Sequence, residues 1–287
     1  MKTIYRSSIS RNEIISLYDR QLGRLGFPWK DVYVETSFGS THIVETGCQT
    51  GKPLLVFHGG NATTAYNLLA CGFLLNVFHV FAVDTVGHPG KSAETCLPAS
   101  GPAYGQWACE VISALGFSRM RCFGGSFGAG ILVKAMCVSP ETIERAALLV
   151  PSGIQNAPAA ASLHMLGPML AYRLTGKEKW LRRCIRPMSL TEDIDLDSLE
   201  TIRCSLDNVK VKRGMPTNAP SDLLKKISAP VLVMAGEKDC LFPANRVLPQ
   251  ASASFPHCTT YLLQGRGHLS RLTPEEEYMI VGFLNEN

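Results

Sequence analysis

The chain has 287 residues, which allows one large domain or two ordinary ones; 46% of its residues are hydrophobic and 18% are charged. This balance is typical of a globular protein with a sizeable buried core. The formal net charge is only +4, and lysine and arginine are dispersed along the chain, so we expect no nucleic-acid partner.

The ten cysteines form no Cys-x-x-Cys pair, which argues against a zinc site and against a dithiol redox motif. Free thiols at this density are typical of a reducing compartment. The first residues contain no apolar signal core, and no run of about 18 apolar residues occurs. We therefore expect a soluble cytoplasmic protein with no membrane partner and no metal.

The N-terminal region predicts a helix followed by a β-hairpin. Ser10-Arg11-Asn12-Glu13 matches a capping box ahead of apolar residues at helical spacing, which makes Ser10 the predicted N-cap. Gly26 and the nearby Pro28 end that helix. Short alternating runs at residues 32–35 and 42–45 then predict two paired strands.

Six continuous apolar runs follow, and helix-length segments separate most of them. Such runs are expected of strands that are buried on both faces of a parallel sheet. The runs occupy residues 54–57, 77–83, 120–123, 146–150, 231–235 and 260–263. Their alternation with helices predicts an α/β domain with a mainly parallel sheet.

The interval between the fourth and fifth runs holds about eighty residues, too many for one crossover helix. It contains apolar helix-like pieces, an acidic stretch at residues 192–200 and a Gly/Pro-rich exit at residues 214–220. We interpret residues 152–220 as a helical lid on a core domain formed by residues 1–151 and 221–287. A basic cluster within the lid is interpreted as a solvated helix face: Lys177, Lys179, Arg182, Arg183 and Arg186.

The stretch from Arg121 to Gly130 contains a motif that is typical of a catalytic serine. A strand-like run leads into Gly-Gly-Ser-Phe-Gly and a helix-like run, the order that a nucleophile elbow requires. We expect the turn to strain the backbone of Ser126, while Gly124 and Gly128 let strand and helix pass closely. The N-terminus of the following helix favours a developing oxyanion.

Two downstream residues complete a catalytic triad in the order serine, acid, histidine. Asp239 lies just past the run at residues 231–235, at the sheet edge where ligands bind in such folds. It would hold the base in one tautomer and stabilise the imidazolium, with Glu237 as the alternative acid. His268, after Gly267 in the last loop, is the expected general base, since histidine titrates near neutral pH.

The loop after the first continuous run is the expected source of an oxyanion donor. One donor is the N–H of Phe127, the residue that follows the nucleophile. Gly60 is the second, because a glycine lets the backbone approach a substrate oxygen closely, and Asn61 is the alternative. We interpret His58 as structural, with its imidazole hydrogen-bonded to loop backbone.

Two glycine-rich patterns do not fit nucleotide binding. Gly90-Lys91-Ser92 lacks the earlier glycine of a phosphate-binding loop, because position 85 is threonine. The stretch from Gly124 to Gly130 contains no Gly-x-Gly-x-x-Gly fingerprint.

These motifs, together with Asp84-Thr85-Val86-Gly87, resemble those of the α/β-hydrolase superfamily over nearly the whole chain. The stretch from His58 to Tyr66 and the N-terminal helix are similar to bacterial carboxylesterases. The resemblance implies a mixed, mostly parallel eight-stranded sheet flanked by helices, a lid after strand six, no cofactor, and hydrolysis through an acyl-enzyme. The loop from Asp84 to Ser92 is one residue longer than the family pattern, so we expect its shape to differ.

We therefore expect a serine hydrolase that cleaves carboxylic esters of small, largely apolar substrates. Asn61 and the lid residues His164, Met165 and Met169 are expected to line the substrate pocket. The same triad also supports hydrolysis of a carbon–carbon bond, a lactone or an amide. A ligand-binding receptor or pseudoenzyme on this fold is a further alternative.

Overall fold

A computed structural model of the chain describes residues 3–191, 194–210 and 214–287. Its eight strands are β1 (Trp29–Thr36), β2 (Gly39–Gly47), β3 (Pro53–Phe57), β4 (His79–Val83), β5 (Met120–Gly125), β6 (Ile143–Leu149), β7 (Val231–Gly236) and β8 (Cys258–Leu263). They form one sheet in the order β1-β2-β4-β3-β5-β6-β7-β8. Strand β2 is antiparallel to β1 and β4, and strands β3 to β8 are parallel. The predicted hairpin and all six predicted runs are confirmed as strands.

Ten α-helices accompany the sheet in the described residues. They are α1 (Ser8–Leu22), α2 (Thr64–Ala70), α3 (Ala103–Ala114), α4 (Phe127–Val138), α5 (Leu166–Thr175), α6 (Glu178–Ser189), α7 (Leu196–Asn208), α8 (Ser221–Leu224), α9 (Ala244–Ser254) and α10 (Pro274–Asn285). Short 3-10 helices occur at Gly72–Leu74, Pro140–Thr142 and Ala159–Met165.

Strand β3 shows why the central runs are continuously apolar. Leu55 and Phe57 pack in a cluster that includes residues of α3, α4 and α9. Leu54 and Val56 pack in a second cluster with residues of α1, α2 and α10. Because alternate side chains of a strand point to opposite faces, both faces of the sheet are buried.

The N-terminal helix begins earlier than the sequence predicted. Helix α1 starts at Ser8, and the side chain of Ser7 accepts a hydrogen bond from the N–H of Ser10. The prediction of Ser10 as N-cap is therefore wrong, because Ser7 offers the same acceptor one turn earlier and lets the helix add that turn. The helix ends at Leu22, before the predicted stop at Gly26.

Helices α5, α6 and α7 lie between β6 and β7 and share a small apolar cluster. Tyr172, Leu181 and Ile185 are buried in it, whereas Leu224 of the following α8 packs in the main core. Glu192 and Asp193, the start of the predicted acidic stretch, lie outside the described residues. Asp195 of that stretch is the N-cap of α7, and residues 196–200 form the beginning of the helix.

Charge is buried where β2 meets the loop after β4. His42 has its Nδ1 at 2.8 Å from Oδ2 of Asp84 and its Nε2 at 2.7 Å from Oδ1 of Asp31. Burial disfavours the imidazolium, but the hydrogen bonds and charges of the two carboxylates outweigh burial and raise the pKa of His42. Burial likewise disfavours the carboxylate of Asp84, but bonding to His42 and to the N–H of Lys91 lowers its pKa.

The longer loop from Asp84 to Ser92 wraps around this carboxylate. The N–H of Lys91 donates to Asp84 Oδ2 at 2.8 Å, and Ser92 Oγ donates to the Asp84 carbonyl at 2.6 Å. A Cβ at Gly90, whose φ is +152°, would lie 2.7 Å from the Asp84 side chain. The loop therefore packs against Asp84 at position 90, where only glycine fits without a clash.

Replacing His42 by alanine should lower the free energy of unfolding by about 3–5 kcal/mol, because it leaves the buried Asp84 charge without its imidazolium partner. The stabilisation lost should be fully present between about pH 4 and pH 6.5. It should fade above this window as pH rises through the raised pKa of His42, and below it as pH falls through the lowered pKa of Asp84.

Urea unfolding of both proteins across pH measures this difference. His257→Ala, at an exposed histidine, serves as the control and should change stability little. A loss below about 1 kcal/mol, or one independent of pH, would contradict a buried ion pair at His42.

Candidate active site

The turn between β5 and α4 holds Ser126 at φ 53° and ψ −114°. A positive φ is strained for any residue with a Cβ. The N–H of Ser126 donates to the carbonyl of Leu149 at 2.9 Å, and its own carbonyl accepts from the N–H of Gly130 at 3.1 Å. Ser152 adds its N–H at 3.2 Å and its Oγ at 3.1 Å to the same carbonyl. These bonds fix the strained conformation from both sides.

The glycines around Ser126 are required by close packing. A Cβ at Gly124 would lie 2.8 Å from the backbone nitrogen of Ala129. One at Gly128 would lie 2.5 Å from the carbonyl oxygen of Phe57 in β3. The helix that follows the serine is therefore pressed against two strands, as the motif predicted.

Ser126, His268 and Asp239 come together at the carboxyl edge of the sheet. His268 Nε2 lies 3.0 Å from Ser126 Oγ, and His268 Nδ1 lies 2.8 Å from Asp239 Oδ2. A proton on Nδ1 directed at the carboxylate leaves Nε2 to accept from the serine hydroxyl. The arrangement can therefore withdraw a proton from Ser126 and hold it on the imidazole.

Both oxygens of the Asp239 carboxylate take part in hydrogen bonds. Its Oδ1 accepts from the N–H groups of Leu241 at 2.7 Å and Phe242 at 3.0 Å. Burial disfavours its charge, but the charge and hydrogen bond of His268 and these backbone donors lower its pKa. The alternative acid, Glu237, instead accepts from the N–H of Gly265 at 2.7 Å.

The loop after β3 lies against the turn that carries Ser126. A Cβ at Gly60 would be 3.4 Å from Cβ of Phe127, and one at Gly59 would be 3.7 Å from Cβ of Ser126. Asn61 follows with φ 57° and is exposed. The sequence analysis chose Gly60 for the close approach that a glycine allows, and it did not predict the positive φ of Asn61.

His58 ties this loop to its neighbour after β4. Its Nδ1 lies 2.8 Å from the carbonyl of Gly59, and its Nε2 accepts from the N–H of Thr85 at 3.1 Å. Burial lowers the pKa of His58, so the imidazole stays neutral and suits one donor and one acceptor. Its partners are loop backbone groups, as expected for a structural histidine.

Backbone strain is concentrated around this edge of the sheet. The non-glycine residues with positive φ in the described part of the chain are Asn61, Ser126, Val150 and Leu190. Ser126 and Val150 directly follow β5 and β6, Asn61 lies in the loop after β3, and Leu190 follows α6. Such conformations cost about 1–3 kcal/mol each and persist where the surrounding structure enforces them, typically at functional sites.

Helix α6 ends on the loop that carries His268. The N–H of Leu269 donates to the carbonyl of Met188 at 3.0 Å. A Cβ at Gly267 would lie 2.3 Å from that carbonyl oxygen and 3.0 Å from the side chain of Leu190. Sequence reasoning missed Met188, Leu190 and Ser152, because each reaches the site through a long-range contact that no local motif predicts.

The predicted pocket residues differ in exposure. His164 is exposed, while Met165 and Met169 are half-buried. The Met165 carbonyl accepts from Cys184 Sγ of α6 at 3.6 Å. Their part in substrate binding stays a prediction.

Residues 3–191, 194–210 and 214–287 contain no cluster of three or more His, Cys, Asp or Glu side chains that could hold a metal ion. No helix in these ranges has the length and apolar character needed to cross a membrane.

Comparison with known proteins places this site in context. No family model matches the sequence. Carboxylesterase YbfK of Bacillus subtilis is 26% identical over 268 residues, which cover 90% of this chain and 88% of the relative. The crystal structure of naproxen esterase (carboxylesterase NP) from Bacillus subtilis matches with a TM-score of 0.84 at 19% identity, covering 98% of this chain and 100% of that one. The structure of carboxylesterase CesB (YbfK) matches with a TM-score of 0.78 at 23% identity, covering 96% and 98%.

The sheet order and these matches define the fold as that of the α/β-hydrolases. Sequence similarity to proteins named carboxylesterases supports a hydrolase. Among the curated relatives, two are carboxylesterases of Bacillus subtilis. These findings agree with the resemblance found in the sequence.

Substituting Gly267 by alanine should reduce kcat/KM for a substrate ester by ~10²-fold, because the new methyl group would press on the Met188 carbonyl and displace His268. Steady-state kinetics beside a thermal melt measures the effect. Gly282→Ala in α10, where a Cβ meets nothing within 4 Å, is the matched control and should keep wild-type activity. Full activity in the Gly267 variant would show that this contact does not position His268.

Proposed function

We propose that the protein hydrolyses carboxylic esters of small, largely apolar substrates through an acyl-enzyme on Ser126. One observation carries the proposal: Ser126 Oγ, His268 and Asp239 form a continuous series of contacts of 3.0 Å and 2.8 Å at a strained turn. Similarity to bacterial carboxylesterases supports an ester as the bond that is cleaved.

In the first half of the reaction, His268 takes the hydroxyl proton of Ser126, and the oxygen attacks the ester carbonyl. The resulting oxyanion accepts hydrogen bonds from the N–H of Phe127 and of Gly60, with Asn61 as the alternative second donor. Phe127 opens helix α4, whose first N–H groups have no partner within the helix. Each such donor contributes about 3–4 kcal/mol to transition-state stabilisation in a comparable enzyme.

In the second half, His268 donates its proton to the departing alcohol, and the acyl group stays on Ser126. Water then enters, gives a proton to His268 and attacks the acyl carbonyl, which releases the acid and restores the serine hydroxyl. Asp239 remains ionised throughout, because its lowered pKa keeps the carboxylate available to stabilise the imidazolium.

Residues 152–220 act in this scheme as a lid on the core of residues 1–151 and 221–287. Support comes from the separate apolar cluster of α5 to α7 and from the contact of Met188 with the His268 loop. The proposed pocket uses Asn61 from the core and His164, Met165 and Met169 from the lid. A cytoplasmic location is part of the proposal, since all ten cysteines are free thiols.

Ser126→Ala should lower kcat/KM for a short-chain p-nitrophenyl ester by at least ~10³-fold, because the nucleophile is removed while the fold is kept. Steady-state assays of purified proteins measure this, with Ser113→Ala at an exposed position of α3 as the control. Undiminished hydrolysis by Ser126→Ala would contradict Ser126 as nucleophile. A wild-type protein that binds a small apolar ligand without turning over any ester would instead be a receptor.

A panel of esters, lactones, amides and carbon–carbon substrates of matched size identifies the bond class. The proposal expects the highest kcat/KM for an ester with an apolar acyl group. A higher kcat/KM for any other bond class in the panel would contradict the ester assignment while leaving the triad in place.

A further inference from the structure

Leucines are exposed along one side of α5 and the 3-10 helix before it. Leu163, Leu166, Leu170 and Leu174 are 59%, 50%, 59% and 77% exposed. Their spacing of three and four residues aligns them along successive helical turns. Tyr172, on the other side of α5, is buried in the cluster shared with α6 and α7. These four residues, the leucine face, form a continuous apolar stripe rather than scattered surface hydrophobics.

Positive charge borders the leucine face. Residues 163–186 contain six lysines and arginines but only one acidic residue, Glu178. That carboxylate forms ion pairs with Arg182 and Arg203. Five further basic side chains of this stretch are exposed and form the basic border: Arg173, Lys177, Lys179, Arg183 and Arg186. An aligned apolar stripe beside a cationic surface is the pattern of a helix that lies in a lipid–water interface.

We propose that the leucine face and its basic border dock on an anionic lipid surface, in place of the absence of a membrane partner that the sequence led us to expect. The leucines enter the boundary between headgroups and acyl chains, while the lysines and arginines lie at the level of the lipid phosphates. A second copy of the chain is the disfavoured occupant, because it would bring the same positive charge against itself. The patch therefore matches a lipid surface with negatively charged headgroups and an apolar interior.

Docking is coupled to the site through α6. This helix carries Lys179 and Arg183 on its exposed side, and its Met188 carbonyl binds the loop of His268 at its other end. We expect a shift of α6 at a lipid surface to move the His268 loop through this contact. We therefore expect lipid docking to raise turnover of lipid-dispersed esters, a consequence that rests on the proposed esterase function.

Vesicle co-sedimentation of the purified full-length protein tests the docking itself. Vesicles of equal parts phosphatidylglycerol and phosphatidylcholine should bind it at least ~10-fold better than pure phosphatidylcholine vesicles, and high salt should weaken the binding. The double substitution Lys177→Glu with Lys179→Glu should weaken it by at least ~25-fold. The matched pair Lys225→Glu with Lys226→Glu, exposed near α8 and equal in net charge, should stay within ~2-fold of the wild type.

The apolar half of the surface is tested in the same assay. Leu166→Ser with Leu170→Ser should weaken vesicle binding by ~10-fold or more, because two side chains no longer leave water. Leu196→Ser in α7, at a leucine that is 78% exposed outside the leucine face, should leave binding unchanged. Thermal melts show whether each variant is folded, and all four leucine positions are exposed enough for serine to be accommodated.

Equal binding to neutral vesicles, no binding, or full binding by either patch variant would overturn the proposal. So would self-association in light scattering that the leucine substitutions abolish, since it would assign the surface to a second copy. A water-soluble ester separates this inference from the function. The patch variants should hydrolyse it at the wild-type rate, and Ser126→Ala should still bind vesicles while hydrolysing nothing.

Discussion

The backbone of Ser126 is held in a strained left-handed turn because β5, β6 and α4 pack too closely to allow another path. Its N–H and carbonyl are both bound, the latter by Gly130 and by two donors of Ser152. The carbonyl of Phe57 fills the space where Gly128 would carry a side chain. The strained conformation costs about 1–3 kcal/mol, which the buried sheet core offsets. The same conformation fixes the direction of the serine hydroxyl. Every other element of the site is arranged around that position.

The chain contains two aspartate–histidine pairs that differ in the partner of the second imidazole nitrogen. In both pairs the carboxylate is buried and its pKa is lowered by the partner histidine. The second nitrogen of His268 faces the Ser126 hydroxyl, whereas that of His42 faces the carboxylate of Asp31. One imidazole is therefore free to exchange a proton with substrate groups, and the other is held as a structural cation.

The structural pair nevertheless serves the site. Asp84 anchors the loop after β4, whose Thr85 binds His58, and His58 in turn contacts the Gly59 carbonyl beside Ser126. The scaffold of buried charge and the proposed oxyanion loop are thus joined through single hydrogen bonds. A mutation near Asp84 would reach the reacting centre by this route without touching substrate.

How far the sequence predicts this molecule depends on the range of the interactions. The central strands could be predicted because burial on both faces requires continuous apolar runs. Ser126, Asp239 and His268 could be predicted because each follows one of those strands. The N-cap at Ser7 was missed because Ser10 offers equivalent capping chemistry. The strained Asn61 and the contact of Met188 with Gly267 are set by tertiary packing, which no local spacing encodes.

The central claim is that Ser126 carries the acyl group during turnover. Rapid quenching of the reaction with a p-nitrophenyl ester, followed by peptide mass spectrometry, tests it directly. The account predicts one acyl group per chain, located on the peptide that contains Ser126 and absent in a Ser126→Ala variant. An acyl group on a cysteine such as Cys240, or turnover without any acylated Ser126, would contradict it.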